Sequence, residues 1–66
     1  MKASSYSEKL VELRGSKSRA EVAKAIGVST SAIAMYERGE RVPKDDIKKR
    51  IAKYFNKSIS SIFYAN

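Results

Sequence analysis

The stretch from Arg19 to Arg38 carries two short runs of helical periodicity with only Gly27, Val28 and Ser29 between them. So short a connection forces the two runs to meet at a steep angle rather than drift apart. Counting from Arg19, apolar side chains stand at the fourth, fifth, eighth, tenth, fifteenth and eighteenth places (Val22, Ala23, Ile26, Val28, Ile33 and Tyr36), and Gly27 is ninth. Each position has a mechanical reason. Ala23 is small enough for the second helix of the pair to approach closely, Gly27 can take the positive φ that a corner needs, and the remaining positions lock the crossing. Such a corner leaves the outer face of that second helix to solvent.

The rest of the chain repeats the helical period, strand-like alternation is absent, and the segments between periodic runs are short, so the reading is an all-α domain of five helices. Ser5 with Glu8 predicts a capping box opening the first, with Tyr6, Leu10 and Leu13 inward and Gly15 at its end. Ser18 with Glu21 predicts the same for the second, with Val22, Ala23 and Ile26 inward and Gly27 at its exit. Ser29 caps the third, which buries Ile33 and Tyr36 and stops at Gly39. The fourth begins just after Pro43, with Asp45 and Asp46 in its first turn and Ile47, Ile51, Tyr54 and Phe55 inward. A last short turn runs from Ser58, with Ile59, Ile62 and Phe63 as its contacts. Residues 1–3 and the last two are expected to fray. Tyr6, Tyr36, Tyr54, Phe55 and Phe63 all fall on inward stripes, which assigns them to the core rather than to base stacking.

With 66 residues the chain is expected to be one domain, 1–66, near the lower size at which an apolar core folds unaided. It has no cysteine and no histidine, which excludes a disulfide framework, a thiolate or imidazole metal site and a histidine-based catalytic triad. No carboxylate pair, phosphate-cradling glycine loop or nucleophile with a visible base stands out, so neither an enzyme nor a cofactor-dependent protein is expected. The opening Met1-Lys-Ala-Ser-Ser-Tyr-Ser-Glu lacks the apolar run of a signal peptide, and no stretch approaches a membrane span. A soluble, cytoplasmic, nucleoid-associated protein is the expectation. Fourteen Lys and Arg against seven Asp and Glu give a net charge of +7, a field that favours polyanions by steering and by counterion release. The excess is weighted toward the second half, +2 over residues 1–37 and +5 over residues 38–66.

The spacing of residues 19–38 is the helix-turn-helix pattern, in whose DNA-binding form the second helix enters the major groove while the first lies across the phosphate backbone. With Tyr36-Glu-Arg-Gly-Glu-Arg-Val-Pro43, Ile51-Ala-Lys-Tyr-Phe55 and Ser58-Ile-Ser-Ser-Ile-Phe63 following in order, residues 5–63 resemble the phage-repressor or Cro/CI type of helix-turn-helix protein, also called the Xre family. The resemblance implies a five-helix domain that binds operator DNA, usually as a two-fold homodimer, and regulates transcription in a phage, prophage or bacterium.

It also nominates residues. The start of the third helix and the positions one turn later would face base edges: Thr30, Ser31, Ala34 and Met35. None is an Arg, Asn or Gln, the side chains that grip guanine or adenine bidentately, so readout would rest on hydroxyls, on contacts with thymine methyls and on DNA shape. Arg19, Ser29, Arg38, Arg41 and Lys44 would contact the DNA backbone; Arg19 sits where a helix macrodipole disfavours a cation, and a phosphate would reverse that sign. Ile62, Phe63 and Tyr64 would join a dimer contact. Glu37 matches a family position that pairs with an arginine of the first helix, but the short interval from Arg14 to Ser18 argues against Arg14 as that partner. A second class of function remains beside this one: a protein-interaction module of the same fold, an antitoxin or regulator-binding domain, with weak or no specific DNA binding. The basic rim of Arg19, Arg38, Arg41 and Lys44 separates the two, because a module that binds only protein has no need of it.

Overall fold

The computed structural model describes residues 6–64; the expectations for Ser5 and for fraying at the two ends fall outside them. Five helical elements follow in order, α1 (Tyr6–Arg14), α2 (Arg19–Ile26), α3 (Thr30–Glu37), α4 (Asp45–Phe55) and α5 (Ser60–Tyr64), with no strand among the described residues. The all-α, five-helix architecture is therefore the one expected. α5 departs in detail, since it is a single wide turn of π-helix that Ser58 opens by accepting a hydrogen bond on Oγ from the Ser61 amide at 3.1 Å.

The helix ends are set by local chemistry. Ser18 Oγ accepts from the Glu21 amide and Ser29 Oγ from the Ala32 amide, each at 3.0 Å, satisfying donors that α2 and α3 leave open in their first turns. At Ser18 only the hydroxyl half of the expected box forms. Gly27 ends α2 in the left-handed region, with φ +93°. A Cβ there would be strained by that φ and would also lie 3.2 Å from Arg50 Nη1, so glycine serves both the turn and a close side-chain approach. α4 starts at Lys44 without a side-chain cap and relies on Asp45 and Asp46 in its first turn. It stops at Asn56, whose left-handed φ of 59° asparagine tolerates better than most residues.

α2 packs on α3 and α4, and α1 packs on α3 and α5. Their shared core holds Leu10, Val22, Ala23, Ile26, Ala32, Ile33, Tyr36, Ile51, Ala52 and Ile62. Tyr6, Leu13, Ile47, Tyr54, Phe55, Ile59 and Phe63 close around it, half-buried. Ala23 is buried in this core at 2% exposure, where a larger side chain would overpack it. Ile62 belongs to this core at 2% exposure, which corrects its assignment to a dimer contact: its own chain already covers it.

Candidate nucleic-acid interface

With 3.6 residues per turn, positions 30, 34 and 38 stack along one line of α3, and 31 and 35 lie beside it. The opposite side is consumed by the core, where Ala32, Ile33, Tyr36 and Glu37 are buried. Thr30 and Ser31 are exposed, and Ala34 and Met35 are half-buried. The four nominated residues thus lie together on the outer face of α3. Ser29, at the head of that face, accepts the cap bond from Ala32; a hydroxyl that accepts still has its own proton to donate.

The basic rim is less uniform than its sequence suggests. Arg38, Arg41 and Lys44 are exposed. Arg38, however, makes a bidentate pair with Glu40, Nε to Oε2 at 2.9 Å and Nη2 to Oε1 at 3.1 Å, so its charge is partly answered within the chain. Arg41 lies in the α3–α4 connection, which is anchored to α1 because Tyr6 donates its hydroxyl hydrogen to the Arg41 carbonyl at 2.8 Å. Ser7 packs beneath the same connection, 3.5 Å from where a Cβ on Gly39 would stand. The sequence held no sign of either contact, since they join residues more than thirty apart.

Glu37 is the larger surprise. Its side chain is 3% exposed, and it does pair with Arg14, through Nε at 2.6 Å and Nη2 at 3.2 Å. The short interval after α1 does not prevent this. It wraps around the guanidinium instead, with Arg14 Nη1 donating to the Lys17 carbonyl at 2.9 Å. A second guanidinium joins them, for Arg19 Nε donates to Glu37 Oε1 at 2.9 Å. One carboxylate therefore ties the end of α1, the start of α2 and the last turn of α3.

Burial alone would raise the pKa of Glu37, but the bonds from Arg14 and Arg19 outweigh it and hold the carboxyl below the ordinary glutamate value. A carboxylate whose pKa is depressed in the folded state stabilises fully above its unfolded value, about 4.3, and that contribution is lost as pH falls through the folded value. In urea titrations the stability gap between wild type and Glu37→Gln is thus expected to be widest near neutral pH and to narrow below about pH 4. A gap of constant size down to pH 2.5 would mean that the ionised carboxylate contributes nothing.

At the C-terminal end Phe63 is half-buried, its ring 5.8 Å from that of Tyr6. Tyr64 is 59% exposed. Its hydroxyl accepts from Lys48 Nζ at 2.9 Å, and the ammonium lies 4.9 Å from its ring centroid, within cation–π range.

Two capped helices, a left-handed glycine between them and an outward face on the second define a helix-turn-helix domain. A family model described as helix-turn-helix matches residues 9–62, and the chain belongs to that family, in its Cro/CI type, whose members are DNA-binding regulators. Its fold is that of the P22 c2 repressor, known from a crystal structure in complex with synthetic operator 9T in the presence of Tl+. The two agree with a TM-score of 0.92 over 97% of this chain and 100% of that one, at 23% sequence identity. No curated protein sequence matches the chain significantly.

Proposed function

We propose that the chain is a sequence-specific repressor, of phage, prophage or bacterial origin, that binds a double-stranded operator as a homodimer. α3 lies in the major groove in this reading. Thr30 and Ser31 face base edges with their hydroxyls, Ala34 and Met35 touch thymine methyls, and Arg19, Ser29, Arg38, Arg41 and Lys44 grip phosphates on either side. The observation that carries the reading is the outer face of α3: the exposed hydroxyls of Thr30 and Ser31 beside half-buried Ala34 and Met35, along a helix whose other side is locked into the core. The P22 c2 repressor, which has this fold, is crystallised with an operator. Phe63 and exposed Tyr64 supply the proposed dimer contact, and two copies would set their recognition helices about 34 Å apart, one turn of DNA.

Selection of random duplex DNA by the purified protein tests the proposal, followed by fluorescence anisotropy of the enriched duplex and a scrambled one across a salt series. The expected result is a near-palindrome bound at least about a thousandfold more tightly than the scrambled duplex, by a protein that sediments as a dimer on it. Equal, salt-sensitive binding to both would leave an electrostatic binder without an operator. Failure to bind either would give the outer face of α3 to a protein partner instead.

A further inference from the structure

The two arginines on Glu37 are used differently. Arg14 spends Nε and Nη2 on the carboxylate and Nη1 on the Lys17 carbonyl, so all three of its nitrogens are engaged within the chain. Arg19 spends only Nε. Its two Nη groups carry four N–H donors with no partner among the described residues, on a side chain 42% exposed. An arginine reaching freely into water would have to be ordered when it met an anion, whereas this one is ordered at folding. It also stands at the first residue of α2, where the helix dipole favours an anion over the cation it carries.

We infer that Glu37 is a positioning residue for DNA binding: from the last turn of α3 it holds Arg19 by Nε and turns Nη1 and Nη2 toward a backbone phosphate, an inference that rests on the duplex-DNA reading above. The phosphate grip on α2 is thereby built in register with the face of α3 beside it. Neither arm would be so aligned if Arg19 hung from α2 alone, since a guanidinium is useful to a phosphate only in a defined plane.

The test uses the full chain and the selected duplex, with anisotropy measured across a salt series for wild type, Arg19→Ala, Glu37→Gln, the double variant and Arg19→Lys. Arg19→Ala is expected to weaken binding about tenfold and to lower the salt slope by about one unit for each bound protomer. Glu37→Gln should weaken binding severalfold when Arg19 is present and scarcely at all in the Arg19→Ala background, because the two act as one unit. Arg19→Lys keeps the charge and leaves the Arg14–Glu37 pair intact but has no Nε to be held by, and is expected to bind within about twofold of Arg19→Ala. The inference is overturned if Glu37→Gln costs the same factor in both backgrounds, or if Arg19→Lys binds like wild type. Should Glu37→Gln fail to fold by circular dichroism, Arg19→Lys decides alone. Absence of duplex binding by wild type itself would instead overturn the DNA reading, and this inference with it.

Discussion

Replacing Ile51 with alanine lowers the stability of the folded chain by about 2–5 kcal/mol. Ile51 is 1% exposed, the most deeply covered side chain of the described residues, and the core around it retains a void of only about 10 Å³. That is room for little more than one water, so there is no slack into which neighbours can relax when three carbons are removed. α4 meets α2 through this contact and so backs the corner from behind. A domain of this length commonly holds only about 3–5 kcal/mol in reserve, so the variant is expected to be largely unfolded at 37 °C. Urea midpoints measure the loss. Val42→Ala serves as the comparison: Val42 is 59% exposed, and the change is expected to stay within about 0.5 kcal/mol. A loss below about 1 kcal/mol for Ile51→Ala would mean that the core closes without α4.

The helices were legible because their signals are local. Serine hydroxyls at 18 and 29 cap amides three residues on, Gly27 turns the chain, and the apolar stripes of α2 and α4 keep the 3.6 period over two or more turns. The outer face of α3 was legible for the same reason, since fixing which side is buried fixes the other. What the sequence hid depends on distance in space. The resemblance pointed Glu37 toward an arginine of the first helix, but nothing in the order of residues says that Arg14, 23 positions away, reaches it across the short interval or that Arg19, 18 positions away, converges on the same carboxylate. Arg38 looked as free as Arg41, yet Glu40 two residues on answers it. The closing segment was ambiguous because five residues cannot establish a period: Ile62 turned into the core and Tyr64 out of it.

Ala34→Glu is expected to abolish specific binding, with a loss of about a hundredfold or more in affinity for the selected duplex and almost no change in folding. The fold tolerates the change because Ala34 is only half-buried, on the side of α3 away from the core, and glutamate is a good helix former. The interface does not, for two reasons. In the proposed complex a carboxylate there would lie among phosphates on both sides of the groove, and misplaced like charges across an interface cost several kcal/mol. It also stands one turn before Arg38, where a Glu-to-Arg pair at i, i+4 forms readily, and so draws a proposed phosphate contact inward. A loss of charge balance alone would weaken binding too, and Val11→Glu measures that effect: it makes the same change in net charge at an exposed site on α1, where salt screening leaves an effect of only a few-fold. Binding by Ala34→Glu that matches Val11→Glu would mean that the outer face of α3 does not enter the groove. A fall well beyond it, with urea midpoints equal, would locate the contact on that face.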